Sequence, residues 1–331
     1  MQGIFINIQV FRNKLICMSE SLPEKFSHRA GEPALVQLLT ERLQPTELNT
    51  LLLEVFQRQT QRSTPAALLA AYRRNRFVRP SAVPALAFRQ FELHWLEAAQ
   101  QMGFEPLELS PVSPLGACSV VGTVHQNKVL SATRGTEVMA DATNALALES
   151  VVQRQAAGFP AEPVSFCAAH RHVRTQVLNF PGFTPHFGIL CLTTAGRDTG
   201  SFHFEKASLT RHIELYRKVL LQYMDQREIK IVLRALDPES GENPLFEQAQ
   251  AHVKAGFSGI EIEIFRKPQS EQRYYEALQF GIHWTRGNQT YPLIDGGFTS
   301  WTRQLSGNRK ERFLGSGIGL ELLFKLLHGL V

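Results

Sequence analysis

Gly315-Ser-Gly-Ile-Gly-Leu-Glu-Leu-Leu323 runs straight into an apolar helical segment, Leu322 to Leu330. Read locally, it is a glycine-rich turn opening a helix. Such a turn lets the backbone approach a ligand closely and aims free N–H groups at it. By itself the motif is weak, since many helices start this way against a sheet. It gains weight from two further blocks upstream, and from the leucine at position 322.

Working outward, the C-terminal two-thirds alternates short strands with helices. Strands are expected at 104–109, 129–133, 165–168, 186–193, 229–233 and 260–265. Further strands at 274–284 and 290–293 would form a hairpin across Arg286-Gly287-Asn288. Ile260 to Phe265 alternates Ile-Glu-Ile-Glu-Ile, as a half-buried strand should. Helices are expected at 86–102, 142–152, 209–224 and 244–255, from apolar residues at helical spacing and from their caps. Leu35, Leu38, Leu39 and Leu43, then Pro45 and Thr64-Pro65, mark three short helices nearer the N-terminus. The fold class is α+β, a mostly antiparallel sheet flanked by helices with a small N-terminal helical appendage. The expected organisation is a disordered extension over 1–32, the appendage over 33–80, and a core over 81–331. Arg79 to Pro84 is the linker. Met18 opens an ordinary soluble N-terminus, so translation starting there would remove residues 1–17.

The chain has 331 residues, 44% hydrophobic and 20% charged, with a formal net charge of +5. These are values of an ordinary soluble globular protein and permit an anionic ligand without demanding nucleic acid. Four cysteines stand far apart with no Cys-x-x-Cys. That disfavours a disulfide framework or a zinc site and suits a reducing cytosol, so a cytoplasmic location is expected. No apolar run reaches the length needed to span a membrane. His170, His172 and His186 lack a carboxylate or cysteine at useful spacing, so no metal is expected.

Three blocks carry a family resemblance. The first is Leu86 to Pro111, a long helix and a strand ending in proline. Val138-Met-Ala-Asp141-Ala-Thr143 follows it. The second is His170-Arg171-His-Val173-Arg174-Thr-Gln176, a loop Phe180-Pro-Gly-Phe-Thr-Pro, and then His186-Phe187. Tyr274-Tyr275 and Gly296-Gly297-Phe298 come next, and Gly315 to Leu323 is the third. In this order and spacing, residues 86–323 resemble the catalytic core of class II aminoacyl-tRNA synthetases. The nearest branch is the histidyl one, which includes the regulatory subunit of ATP phosphoribosyltransferase.

The resemblance implies a site that joins a carboxylate to ATP, with Mg, to make an acyl-adenylate. It implies that Arg171 acts as the catalytic arginine, gripping the α-phosphate or the carboxylate. It places Asp141, Thr143, Arg174, Gln176, Tyr274 and Tyr275 on the substrate, and Arg171, His186, Phe187, Gly317 and Gly319 on ATP. Asp141 has a second reading, as the N-cap of the helix that follows it. Tyr274 and Tyr275 have one as plain strand residues. Three departures weaken the ATP side. Leu322 stands where the family has an arginine on the distal phosphates. Val173 replaces a glutamate, and Ser270 holds the place of an arginine that helps activate the carboxylate. Arg273 or Arg134 are candidate substitutes. Met139 likewise replaces an arginine beside Asp141. The chain ends just past the third block, so no anticodon-binding domain is expected.

The expected function is therefore a synthetase-like paralogue that binds an amino-acid-like or nucleotide-like small molecule. It would regulate or assist a partner enzyme, as a homodimer, and tRNA charging is disfavoured. The alternative is an ATP-dependent adenylate-forming ligase acting on a small molecule or a carrier protein.

Overall fold

A computed structural model describes residues 21–176, 182–237, 241–268 and 274–331. The readings made of residues 1–17, Phe180-Pro181, Ser270 and Arg273 lie outside the described residues. The chain divides into two compact units. One holds the described residues up to Thr64 together with Thr133–Gly135; the other runs Pro65–Ala132 and Thr136–Val331. Pro65–Arg74, which the sequence groups with the appendage, lies in the second.

In the smaller unit, helices Leu22–Arg29 and Pro45–Gln61 each begin with a reciprocal capping box, Ser21 with Glu24 and Gln44 with Glu47. Each box satisfies N–H groups that the first helical turn would otherwise leave orphaned, and proline at N1 or N2 pre-sets the helix entry.

The larger unit is built on strands β1 (Glu105–Pro106), β2 (Val112–Pro114), β3 (Thr136–Val138), β4 (Val164–Val173) and β5 (His186–Arg197). They continue with β6 (Ile229–Asp237), β7 (Glu261–Pro268), β8 (Ala277–Arg286), β9 (Gln289–Thr299) and β10 (Glu311–Ile318). Eight of these form one sheet in the order β1-β4-β5-β10-β9-β8-β6-β7, and β2 and β3 pair separately. The β1–β4 and β6–β7 pairs are parallel, and the other pairs of the large sheet are antiparallel. The parallel β6–β7 pair is joined by the helix Pro244–Gly256. A crossover of that kind is what a parallel pairing requires.

Helices cover both faces. Ala85–Gln101, His203–Leu220, Pro244–Gly256 and Leu320–Leu327 bury their apolar stripes in one large core with Cys167, Leu190, Leu192 and Leu233. Ala142–Ala156 packs on the other face, where Met139, Leu146, Phe166, Ala168 and Cys191 cluster. Consecutive residues of β4 therefore enter opposite cores, as the two-residue period of a strand dictates.

Leu22–Arg29 is helical within the stretch expected to be disordered, and three further expectations change. Residues 129–133 form no strand; Ser131 makes only an isolated bridge to Glu137. Tyr274 and Tyr275 precede β8 instead of opening it. The chain reaches the sheet through a γ-turn at Ala277 (φ 59°), where the Leu278 N–H donates to the Glu276 carbonyl at 2.6 Å. A γ-turn with positive φ is strained at a residue with a side chain. The Asn243 side chain donates to the Ala277 carbonyl at 2.8 Å and fixes it. Finally, Gly315 and Gly317 are not a turn but strand, laddered on both sides by β5 and β9. Only Gly319 caps the helix, which runs Leu320–Leu327.

Candidate functional site

The floor of a cleft of 790 Å³ is the face of the sheet that carries Phe187, Ile189 and Cys191 of β5, Gly315 and Gly317 of β10, Asp295 of β9, Gln279 of β8 and Arg234 of β6. That size is in the range of small-molecule sites. The walls include Asp141, Thr143, Arg174, Gln176, Tyr274, Tyr275, Gly319 and Leu322.

Asp141 both caps a helix and borders the cleft. Its Oδ1 accepts from the Thr143 N–H at 3.0 Å and from the Thr143 hydroxyl at 2.6 Å, and its Oδ2 accepts from the Tyr274 hydroxyl at 2.5 Å. A carboxylate offers about four acceptor positions, so roughly one remains for a ligand. Burial works to raise its pKa, but the Arg174 guanidinium and these hydrogen bonds hold it below the ordinary aspartate value. Arg174 is tethered by its Nε–H to the Ala140 carbonyl at 3.2 Å and lies over the Phe187 ring.

Tyr274 and Tyr275 stand edge to face, ring centroids 4.7 Å apart. Their hydroxyls serve different carboxylates, Tyr274 donating to Asp141 and Tyr275 to Asp295 Oδ2 at 3.0 Å. Gln279 donates to Asp295 Oδ1 at 2.6 Å. The Tyr275 ring can lie flat on β9 because position 297 is glycine: a Cβ there would come within 2.6 Å of the ring.

Arg171 is not in this cleft. On β4 it alternates with His170 and His172. Those two pair across the ladder with Ile189 and Phe187 of the cleft floor, whereas Arg171 pairs with Gly188, whose open side meets Phe88. On that opposite face it is ion-paired to buried Glu321 at 2.8 Å and donates to His186 Nδ1 at 2.9 Å. His186 in turn donates from Nε2 to the Arg79 carbonyl at 2.6 Å, and it too is absent from the cleft lining. Glu321 also accepts from Lys325 (2.8 Å), Ser81 (2.6 Å) and the Gly188 N–H (3.1 Å). The expected catalytic arginine is thus half-exposed and held by a buried carboxylate. The cleft arginine of that strand end is Arg174, three residues on, on the other face.

The two glycines of β10 act by absence of bulk. A Cβ on Gly315 would meet Thr143 at 3.6 Å, and one on Gly317 would meet Ile189 at 3.1 Å. They lower the floor; their N–H groups belong to the ladders. Leu322 lines the cleft as an apolar wall, and Met139 is core, 1% exposed. His172 is fully buried and its Nε2 accepts from the Ala142 N–H at 3.0 Å. Burial drives its pKa down to about 3, so it is neutral and structural.

Arg234, Gln279 and Asp295 were not anticipated from sequence. Each is a polar residue set between buried ones: Arg234 between Leu233 and Ala235, Gln279 between Leu278 and Phe280, Asp295 after Ile294. That interruption of an apolar strand is the signal that marks them.

No protein-family model and no curated protein matches this sequence. Solved structures do. Histidyl-tRNA synthetase of S. aureus aligns over 76% of this chain and 69% of its own, with 14% identity and a TM-score of 0.55. An ATP phosphoribosyltransferase regulatory subunit/histidyl-tRNA synthetase from Bacillus halodurans aligns over 76% and 83%, with 12% identity and a TM-score of 0.59. A histidine–tRNA ligase subunit from Alicyclobacillus acidocaldarius aligns over 76% and 96%, with 12% identity and a TM-score of 0.56. No helix among the described residues is long and apolar enough to cross a membrane. With the sheet order, the crossing helices and the glycine-bearing strand that feeds the last helix, these likenesses identify the fold as the class II aminoacyl-tRNA synthetase-like core, of the histidyl-tRNA synthetase-like kind.

Proposed function

We propose that the cleft binds a small amino-acid-like zwitterion, and that the protein regulates or assists a partner enzyme in the cytoplasm instead of charging tRNA. One observation carries the reading. Asp141, an ionised carboxylate with an acceptor position to spare, and Arg174, a cation tethered by its stem, meet in one cleft beside two tyrosines. An ammonium group suits the first and a carboxylate the second, because both contacts are charge-assisted. The regulatory-subunit name attached to the Bacillus halodurans likeness supports the accessory role.

The residues fit a triphosphate poorly. The arginine expected on the α-phosphate faces the other side of the sheet and is neutralised by Glu321, and Leu322 presents hydrocarbon to the cleft. Titration calorimetry of the full chain with L-amino acids and with ATP tests the proposal. Micromolar to low-millimolar binding of an amino acid without ATP supports it. Failure of every amino acid at millimolar concentration overturns it. Amino-acid-dependent pyrophosphate exchange would instead favour the adenylate-forming ligase.

A further inference from the structure

The cleft is larger than a free α-amino and α-carboxylate group requires, and it holds a second carboxylate. Asp295 sits on β9, opposite Gly317 of β10 on one side and Gly281 of β8 on the other. Cross-strand partners share a face, so the two positions flanking Asp295 carry no side chain at all. A Cβ at Gly281 would stand 3.0 Å from the Ile294 carbonyl, and one at Gly317 would stand 3.1 Å from Ile189. The glycines thus carve a niche around one carboxylate.

That carboxylate is oriented but not saturated. Gln279 donates to one oxygen and Tyr275 to the other, leaving about two acceptor positions free. Both donors are neutral. Among the described residues no lysine, arginine or histidine makes an ion pair with it. The nearby cleft cation, Arg234, lies over the Phe265 ring at 5.7 Å and acts on Asp295 through space without an ion pair. A carboxylate held by two neutral donors in a niche opening on a cleft is complementary to a cationic nitrogen. The tyrosine pair sets the layout, with Asp141 on the hydroxyl of one ring and Asp295 on that of the other.

We infer that Asp295 is the residue that selects the ligand's side chain, and that the ligand is an α-amino acid ending in a cationic nitrogen. The inference rests on the zwitterion reading of Asp141 and Arg174 and adds to it the identity of the side-chain group. L-lysine and L-norleucine separate the two, since they share a carbon chain and differ by the terminal ammonium. Titration calorimetry of the full wild-type chain is expected to find lysine bound roughly 10- to 100-fold more tightly, the range of a charge-assisted hydrogen bond. In Asp295→Asn that advantage is expected to vanish. Equal affinity of the two ligands for the wild-type chain, or an advantage that survives in Asp295→Asn, overturns the inference and leaves the zwitterion site standing. Binding of neither ligand, nor of any other amino acid, overturns both. The wild-type comparison decides even where the variant fails to fold.

Discussion

Arg171→Met separates the two faces of the sheet. Arg171 points away from the cleft and reaches it only through Glu321, so its loss is expected to cost stability and not ligand affinity. The ion pair with Glu321 is short, 2.8 Å, with the carboxylate 1% exposed and the guanidinium 34% exposed. A half-open pair of this kind is worth less than one sealed from water. Glu321 also keeps its bonds to Lys325, Ser81 and the Gly188 N–H, so it is not left as an orphaned buried charge. The expected loss is about 1–2 kcal/mol, below the ~3–5 kcal/mol of breaking a fully buried pair. In a chain of this size that lowers the thermal midpoint by roughly 1–3 °C. Thermal unfolding by circular dichroism reads the first effect and titration calorimetry the second. Arg174→Met is the mirror image, expected to weaken amino-acid binding about 10- to 100-fold at near-wild-type stability. A tenfold loss of affinity in Arg171→Met at an unchanged midpoint would refute the assignment of faces on which the site is built.

Asp141→Asn keeps an N-cap of equal quality, so the thermal midpoint is expected to hold while amino-acid affinity falls about tenfold or more. Glu311→Gln is expected to cost about 3–5 kcal/mol in urea unfolding. It strands Arg154, which is 0% exposed and held at 2.6 Å and 3.0 Å by that carboxylate. Gly297→Ala puts a Cβ 2.6 Å from the Tyr275 ring and 2.8 Å from the Leu278 carbonyl, so Tyr275 must leave its seat. Ligand affinity should drop, with about 1–3 kcal/mol of lost stability. His172 is neutral when folded, with a pKa of about 3, and titrates near 6.5 when unfolded. The unfolded chain therefore binds the extra proton between those values. Stability falls as pH drops from 6.5 toward 3, by up to about 1.4 kcal/mol per pH unit from this residue. Urea midpoints across that range should fall less steeply in His172→Gln.

Where a segment's periodicity had one solution, the sequence was enough. The hairpin at Arg286-Gly287-Asn288 is legible because glycine supplies the positive φ the tight turn needs: β8 ends at Arg286, β9 begins at Gln289, and Gly287 has φ 60°. Asp141 is legible too, as a capping residue type before an apolar-periodic run, and it caps the helix while facing the cleft. The face of β4 was not legible. Alternation reveals a strand's buried side only when the other side is wet, and here Phe166, Cys167 and Ala168 are all buried, in two different cores. Nothing in such a run sets the phase, and a phase error of one residue moves every side chain to the other face. Arg171 falls outside the cleft for that reason alone, whereas Arg174, an odd number of residues on, lines it as expected. The strand 129–133 failed differently: Val129 packs with Cys118 and Ala140 in a small cluster, and the segment has no ladder partner beyond one isolated bridge.

The same phase argument allows one sheet to change the chemistry of its cleft while its packing stays the same. A residue on the cleft face touches ligand, and its sequence neighbour touches core. Substitution of cleft-face residues can then proceed without disturbing the packing behind them. Leu322 and Asp295 are both chemical choices on the cleft side. Glu321 borders the cleft, and its bonds to Arg171, Lys325 and Ser81 keep it satisfied whatever those choices are. A cleft whose cations and anions stand on different strands, Arg174 past β4, Arg234 on β6 and Asp295 on β9, is complementary to a ligand carrying both signs. A polyanion would gain from the arginines but would meet Asp141 and Asp295 as like charges, each unfavourable in an enclosed site. The charge pattern of the floor, more than the loss of any one arginine, therefore favours a zwitterion over a triphosphate.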